Sequence, residues 1–459
     1  MNSRAVALAV RACARRALLP ALVAALLLLP AAPRAAVAQQ KLSGFERDRW
    51  RAVLNVIKED IRKNYYDPAF RGIDLDAHFK GAEEKMKQAQ SLGQLMGIIA
   101  QTLLDFDDSH LYFEPPGRSA RYDYGWRMQM IGDRCFITAV KPGSDADAKG
   151  VRPGDEIVEL DGYQPTRGNH WKMEYAYYAL RPMSGVRLTL RKADGKEQQV
   201  DVMTKVTPGK RLTDLTGGSS NDLNGFWRDE EDAERERREG SRGVSLAEGQ
   251  LFVWKLKWFD FTDEEIDNKV SQARRHKALV LDLRGNGGGA EKTLLRLLGG
   301  LFDRDLKVGD IRRRKEAKPL LVKTRGGDNV FKGDLVVLID SESGSAAELL
   351  ARVVQLEKRG TVMGDLSAGA VMRAVYYPHE SGVDTVAMYG VSVTDADILM
   401  ADGKSIEHVG VRPDKPRLPT AAELAEGHDP VLSEAAALLG FKLEPAQAGA
   451  LFPVKWPRK

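Results

Sequence analysis

The stretch from 334 to 360 constrains the fold most, because an apolar run, a turn and a helical pattern follow one another without a gap. The run Leu335–Ile339 is unbroken and apolar, which is typical of a strand buried on both faces. Small and polar residues at 341–345 predict a tight turn, and leucines and valines then recur at helical spacing until Gly360. A strand, turn and helix in this order predict an α/β domain.

Ser345 lies where this turn passes into the helix. Free backbone N–H groups and the helix dipole at such a position favour a developing negative charge, as a nucleophilic serine requires. The same residues, Ser345-Ala-Ala-Glu348, also form a capping box, in which Ser345 caps the helix and Glu348 reaches back to it. On this stretch alone both interpretations stay open.

The first 38 residues have the three parts of a secretory signal peptide. Arginines precede an apolar run, Ala21–Leu29, and Ala36-Val37-Ala38 offers a small-x-small cleavage site. The run is short for a membrane span. We expect residues 1–38 to be removed before Gln39, which gives an exported chain, periplasmic or secreted, without a stable membrane span.

Charge and cysteine content exclude several function classes. The chain has a formal charge of +4, and loss of the five arginines of the signal peptide leaves −1. A basic surface for nucleic acid is therefore not expected. Cys13 leaves with the signal peptide, so Cys135 has no intrachain disulfide partner. No Cys/His/Asp cluster has metal-ligand spacing, and we predict no metal and no other cofactor.

The rest of the chain changes character along its length. One apolar face of a long helix carries Trp50, Val53, Leu54, Ile57 and Ile61, and later short apolar runs alternate with turns. A dense mixed-charge run from 228 to 242 is typical of a solvated linker. The predicted regions are an N-terminal helical region (39–120), a β-rich domain (121–206), a charged linker (207–247), an α/β core (248–420) and a C-terminal segment (421–459).

One line in the β-rich domain is specific. Residues 141–162, KPGSDADAKGVRPGDEIVELDG, resemble the middle of a PDZ domain. Tyr124-Gly125-Trp126-Arg127 lies where such domains keep the loop that holds a peptide carboxylate, while the peptide adds as a strand to the sheet edge. The resemblance implies that these four residues bind peptides with a free C-terminus. The alternative is a β-domain that serves only as a spacer.

Four stretches resemble one peptidase family. KALVLDLRGNGGG, SGSAAELLARVVQ and DGKSIEHVGVRPD resemble the protease domain of the C-terminal-processing, or tail-specific, serine peptidases and their tricorn-core relatives, and NYYDPAFRGIDLD resembles their N-terminal region. This resemblance implies a multi-domain α/β protein with an N-terminal helical region, a PDZ-like domain and a crotonase-like α/β protease core. It also implies peptides or unfolded proteins as substrates.

The resemblance assigns roles to individual residues. Ser345 matches the nucleophile, and Gly288 and the N–H of Ala346 match the oxyanion donors. One departure is clear: Ala370 stands where the C-terminal-processing branch keeps its lysine base. A serine–lysine dyad is therefore not available at this place in the motif.

The tricorn branch implies a different base. It resembles this chain in a Ser-His pair, Ser109-His110, and in the stretch that begins Ile406-Glu407. By this resemblance His110 is the base, Glu407 orients it and Ser109 supports the pair. A purely structural histidine is the alternative for His110, and His408 is a further candidate base.

These observations lead to two hypotheses of different classes. The first is an exported serine endopeptidase with a Ser345–His110–Glu407 mechanism and PDZ-guided binding of peptide or protein substrates. The second is an inactive relative that has lost its lysine and acts as a PDZ-bearing peptide-binding scaffold. Labelling of Ser345 by a fluorophosphonate distinguishes the two.

Overall fold

The computed structural model describes residues 42–117, 120–208, 239–382 and 387–456. The chain divides into two compact units, Met1–Ser43 and Gly44–Lys459, and the second contains the fold described below. The predicted signal peptide and most of the mixed-charge run lie outside the described residues. Within those residues no helix has the length and apolar character needed to cross a membrane.

Three helices form the N-terminal region: Gly44–Asn64 (α1), Leu75–Lys87 (α2) and Leu92–Leu104 (α3). The five residues predicted to share one face of α1 are its five buried residues. Asp74 and Ser91 begin α2 and α3 by accepting hydrogen bonds from backbone N–H groups. The helices lead directly into the segment that carries Ser109 and His110.

The β-rich domain is an antiparallel sheet with the strand order β3-β4-β5-β6-β7. Its helices are short, Asp145–Ala148 (α4) and His170–Glu174 (α5), and α5 continues as a π-helical turn, Tyr175–Leu180. β3 and β7 lie at the two edges of this sheet, and β3 begins within the predicted peptide-binding residues. The strands up to this point are Tyr112–Glu114 (β1), Ala120–Asp123 (β2), Trp126–Ile131 (β3), Arg134–Val140 (β4), Glu156–Leu160 (β5), Gly185–Arg191 (β6), Glu197–Met203 (β7) and Lys205–Pro208 (β8).

The core contains a six-stranded sheet of order β18-β15-β14-β11-β10-β9, parallel except for β9 at one edge. All five residues of β11 are buried, as are five of the six of β14. Helix residues pack with strand residues in both hydrophobic clusters of the sheet, as expected for an α/β domain. The strands are Ser241–Leu246 (β9), Leu251–Leu256 (β10), Ala278–Asp282 (β11), Leu306–Arg312 (β12), Ala317–Val322 (β13), Asp334–Ile339 (β14), Thr361–Gly364 (β15), Met372–Ser381 (β16), Ala387–Met400 (β17) and Lys415–Pro416 (β18), and the helices are Asp263–Ala273 (α6), Glu291–Leu301 (α7) and Ala346–Leu356 (α8).

One predicted boundary differs from the structure. The linker prediction extended to residue 247, but β9 lies within that range and pairs along its whole length with β10. None of the six residues of β9 is fully buried, so an apolar pattern could not reveal it. β9 is a strand because its backbone pairs with the buried β10, and this pairing is not visible in the sequence pattern.

A second sheet joins the N-terminal region to the core. Its order is β1-β17-β12-β13, with β16 paired along the other edge of β17. Phe113 of β1 lies opposite Val391 of β17. This pairing brings the residues just before β1, including His110, to the core domain. The C-terminal helices Ala421–Ala425 (α9), Pro430–Leu438 (α10) and Pro445–Leu451 (α11) follow, and α10 packs against the six-stranded sheet.

Candidate active site

The candidate nucleophile lies between β14 and α8, at the carboxyl end of a parallel strand. Ser345 has φ 51° and ψ −118°, a left-handed conformation that non-glycine residues seldom adopt. An ordinary N-cap serine is extended, whereas Ser345 keeps the reciprocal capping-box arrangement with Glu348 on a left-handed backbone. Such strained residues concentrate at active sites. The backbone therefore favours the nucleophile interpretation over the simple cap.

Glu348 holds the turn around Ser345 in place. Its carboxylate is fully buried and accepts from Ser345 N at 3.0 Å, Ala370 N at 2.9 Å and Gly369 N at 2.8 Å, as well as from the Ser367 hydroxyl. Burial raises the pKa of Glu348 to about 7, although these four donors lower it. Sequence reasoning recognised Glu348 only as a capping-box partner. In the structure it also fastens the segment 367–370 to the serine.

The glycine turn after β11 packs directly against Ser345. A Cβ atom added to Gly288 would lie 2.5 Å from the Ser345 Cβ, so only glycine fits there. The Gly288 N–H, however, donates to Asn286 Oδ1 at 2.8 Å. Its predicted oxyanion role is therefore not supported, because this donor is already used.

Two further backbone features complete the turn. Asn286 is fully buried and donates to Leu256 O at 2.9 Å, so its side chain links the glycine turn to β10. The N–H of Ala346 begins α8, and among the described residues no acceptor is found for it. Ala346 N–H thus remains the candidate oxyanion donor. The role of Asn286 could not be predicted from the sequence, because an Asn-Gly pair indicates a turn and says nothing of a side-chain hydrogen bond to a strand.

The candidate base is held by a polar chain. Ser109 Oγ lies 2.8 Å from His110 Nδ1 and donates to Glu407 Oε2 at 2.9 Å, while Ser109 N donates to Glu407 Oε1 at 3.1 Å. A hydroxyl has one proton, so Ser109 must accept from His110 Nδ1–H. The proton on Nδ1 leaves the Nε2 lone pair of a neutral His110 free to accept one.

Buried acidic groups hold this loop in place by hydrogen bonds, while the imidazole of His110 stays mainly neutral. Asp108 accepts from His110 N at 2.9 Å, from the Tyr65 hydroxyl at 2.9 Å and from the Thr394 hydroxyl at 2.6 Å. Burial lowers the pKa of His110, and the charges of Glu407 and Asp108 oppose that shift. The imidazole is therefore mainly neutral at pH 7, as a general base must be.

Glu407 and Ser345 are each hydrogen-bonded to the backbone of one of two adjacent residues, 371 and 370. The Val371 N–H donates to Glu407 Oε2 at 2.7 Å, and Ser345 N donates to Ala370 O at 2.8 Å. The hydroxyl of Ser345 is not hydrogen-bonded to the His110 ring, nor to the amine of any lysine among the described residues. The structure thus connects Glu407 and Ser345 through the backbone groups of two neighbouring residues, and the catalytic roles of Ser345, His110 and Glu407 stay predictions.

The β-rich domain touches both halves of this site. Arg167 donates to Asp365 Oδ2 at 2.6 Å and to Leu366 O at 3.0 Å, just before the segment clamped by Glu348. On the other side, the Tyr175 hydroxyl of the π-helical turn donates to Phe113 O in β1, three residues after His110. The domain therefore contacts the nucleophile side and the base side at once.

The four residues predicted to bind peptides differ in their exposure. Tyr124 and Trp126 are buried in the core of the β-rich domain, and the Tyr124 hydroxyl accepts from Met183 N and donates to Tyr177 O, both at 3.0 Å. The Gly125 N–H donates to Asp123 Oδ1 at 3.0 Å. Arg127 is exposed, and its guanidinium lies 5.3 Å from the Trp456 ring. Peptide binding here stays a prediction that rests on the edge of β3.

The described residues hold no group of three or more His, Cys, Asp or Glu side chains suited to a metal ion. Cys135 is buried and unpaired, and burial raises the pKa of its thiol to about 12. A thiol held protonated in this way is a poor nucleophile.

Comparison with known proteins agrees with this architecture. Residues 254–416 match the model of peptidase family S41, and residues 123–204 match that of the PDZ domain. The chain is 24% identical to the tricorn protease homolog 2 of Streptomyces coelicolor over 412 residues, which cover 85% of this chain and 32% of the relative. It is 22% identical to the carboxy-terminal processing protease CtpA of Bacillus subtilis over 376 residues, 81% of this chain and 70% of the relative.

A third relative and two solved structures extend the comparison. The tail-specific protease of Haemophilus influenzae is 26% identical over 257 residues, 53% of this chain and 33% of the relative. Mature CPAF aligns with a TM-score of 0.59 at 15% identity, covering 83% of this chain and 94% of that one. The photosystem II D1 C-terminal processing protease aligns with a TM-score of 0.51 at 18% identity, covering 87% and 99%. These two likenesses establish the fold.

The fold, the domain order and the two matched models define a chain with a PDZ domain followed by a domain of peptidase family S41. The chain is similar to proteases named as carboxy-terminal processing, tail-specific and tricorn-type. It spans about a third of the length of two of the three relatives named above.

Proposed function

We propose that this protein is an exported serine endopeptidase that cuts peptides or unfolded, tail-bearing proteins with a Ser345–His110–Glu407 mechanism. The observation that carries the proposal is the hydrogen-bonded chain from Glu407 through Ser109 to His110 Nδ1, with both links under 3 Å. A structural histidine needs no such chain, whereas a general base needs its second nitrogen free and its tautomer fixed.

In the proposed reaction Ser345 Oγ attacks the scissile carbonyl carbon while His110 Nε2 takes the hydroxyl proton. The imidazolium so formed is stabilised by Ser109 and, behind it, by the Glu407 carboxylate. The carbonyl oxygen becomes an oxyanion, and the Ala346 N–H at the start of α8 donates to it. His110 then gives its proton to the leaving amine, and a water molecule hydrolyses the acyl ester by the same steps in reverse order.

The nucleophile and the base must come closer for this reaction. Proton transfer requires Ser345 Oγ and His110 Nε2 to approach within about 3 Å, and such contacts are often unmade in unliganded enzymes. The same gap, together with Ala370 at the lysine position, favours the rival function of a PDZ-bearing scaffold. A fluorophosphonate that carries a fluorophore separates the two, with Ser345→Ala as the control. Labelling of the wild type alone supports the peptidase, and absence of labelling in both supports the scaffold.

The PDZ domain is proposed to select substrates by a free C-terminal carboxylate. Support comes from the match to the PDZ model and from β3 as the edge strand next to the predicted carboxylate loop. The full chain should bind a free-acid tail peptide more tightly than the amidated peptide of the same sequence. Equal affinities would reject carboxylate capture. The Ser345→Ala variant is suited to this titration because it should not consume the peptide.

Export is proposed from the signal-peptide pattern of residues 1–38. N-terminal sequencing of protein recovered from the cell envelope should find Gln39 as the first residue. An intact Met1 on cytoplasmic protein would contradict the proposal.

A further inference from the structure

His408 lies where three segments of the candidate site meet. Its ring Nε2 is 2.9 Å from Asp107 O, in the loop that carries His110. Its backbone N–H donates to Gly369 O at 2.7 Å, in the segment that Glu348 fastens to Ser345. It also follows Glu407 directly in the chain. One residue therefore contacts the base loop, the nucleophile-supporting segment and the orienting carboxylate.

The chemistry of these contacts fixes what the ring does. A carbonyl oxygen only accepts, so Nε2–H of His408 donates to Asp107 O. The same nitrogen lies 3.5 Å from Glu407 Oε1 and 3.9 Å from Asp107 Oδ2, so two carboxylates are close to the N–H group of the ring. Glu407 thus lies near both Ser109, which donates to it, and His408. The side chain of His408 is 44% exposed, which leaves the rest of its ring open to water.

The backbone adds a second, independent observation. His408 has φ 58° and Asp107 has φ 50°, and both are non-glycine residues in the left-handed region. With asparagine, aspartate and histidine are the non-glycine residues that adopt this conformation most readily. The hydrogen bond from the His408 ring to Asp107 O joins these two left-handed turns to each other.

We infer that His408 is a positioning residue for the reaction, and that it acts by holding the loop of His110 and the carboxylate of Glu407 in register with the segment behind Ser345. This inference rests on the proposed function. His408 does not take the serine proton in this account, since its Nε2 is occupied by its own hydrogen bond. Loss of its ring should let the Glu407–Ser109–His110 chain drift from the alignment that proton transfer needs.

The test compares His408→Ala, His408→Gln and the same-loop control Val409→Ala, at a residue that is 64% exposed. Misplacing a catalytic group by about 1 Å can cost on the order of a hundredfold. We expect His408→Ala to lower kcat by about tenfold to a hundredfold with KM nearly unchanged. Since a glutamine amide can donate to Asp107 O, His408→Gln should recover most of that loss. Val409→Ala should match the wild type.

A double-mutant cycle with Glu407→Gln separates positioning from a general loss of stability. The two changes should be non-additive in kcat, because they disturb one chain of contacts. Additive losses, or a fall in kcat that glutamine does not restore and that follows the Tm, would overturn the inference. A fully active His408→Ala would do the same. If the wild type does not react with fluorophosphonate, or if His110→Ala stays active, the proposed function itself fails, which is a different result from either of these.

Discussion

The nucleophile side and the base side of the candidate site are built in different ways. Ser345, Ala346 and Glu348 are neighbours in sequence, and one strand–turn–helix unit sets their geometry. Ser109 and Glu407, by contrast, are 298 positions apart and come from segments that tertiary contacts join, among them the pairing of β1 with β17. A local unit can be recognised from sequence spacing, whereas an assembled one depends on tertiary contacts that no spacing reveals. The two sides should therefore respond differently to mutation.

The largest effects should come from removing either reacting group. Ser345→Ala and His110→Ala should each lower kcat/KM by about 10⁴-fold or more, and the double variant should be no worse than the more damaging single one, because the two groups act as a unit. Kinetics on a fluorogenic peptide measure this. Full activity in His110→Ala together with no activity in Ser345→Ala would mean that a residue other than His110 is the base. Ala370→Lys should not restore His110→Ala, since the lysine branch also needs a pKa lowered by its surroundings.

On the local side the sequence could predict the strand, the turn and the helix around Ser345. The apolar run before Ser345 and the helical spacing after it are strong periodic signals, and the face of α1 was read correctly for the same reason. What could not be predicted are partners across the fold. The Glu348 contacts with residues 367–370 and the bond from Asn286 that occupies the Gly288 N–H both depend on where distant backbone groups lie.

A substitution of Glu348 tests whether the geometry of the nucleophile side depends on residues that are distant in the sequence. Glu348→Ala removes an acceptor from four donors, of which Ser345 N keeps a second acceptor in Ala370 O. Leaving the other three groups unpaired costs about 1–3 kcal/mol each before relaxation. We expect a fall in Tm and a loss of kcat of about a hundredfold through displacement of residues 367–370. Glu357→Gln, at the other end of α8, should change neither. A stable and active Glu348→Ala would show that the turn holds Ser345 unaided.

Ser109 tests the assembled side, with a smaller expected effect. Ser109→Ala removes the acceptor for His110 Nδ1–H and the donor to Glu407, so the tautomer of His110 is no longer fixed. We expect kcat to fall by about tenfold to a hundredfold with the Tm nearly unchanged. Glu407→Gln should cost no more, because its amide oxygen still accepts from Ser109.

The matched control for Ser109 is Ser109→Thr, which keeps the hydroxyl. It should retain most of the activity that Ser109→Ala loses. Equal losses in the alanine and threonine variants would mean that the size of residue 109 matters, and not its hydrogen bonds.

The smallest effects concern pH, and the two sides should differ in sign. Burial raises the pKa of Glu348 from 4.5 to about 7, so its contribution to stability is complete below pH 4.5 and is lost as pH rises through 7. Burial lowers the pKa of His110 from 6.5, so its contribution is complete above pH 6.5 and is lost as pH falls towards the folded-state pKa. For Glu348 the difference amounts to about 3 kcal/mol.

Thermal unfolding between pH 5 and pH 8 can resolve this opposition. The Tm gap between wild type and Glu348→Gln should shrink as pH rises across that range, while the gap between wild type and His110→Asn should grow. The acid limb of kcat/KM should likewise lie below the ordinary histidine value, because the free enzyme's base loses its proton early. Gaps that change in the same direction would mean that one environment, and not two, governs both groups. The contrast between a local and an assembled half of the site would then not extend to their electrostatics.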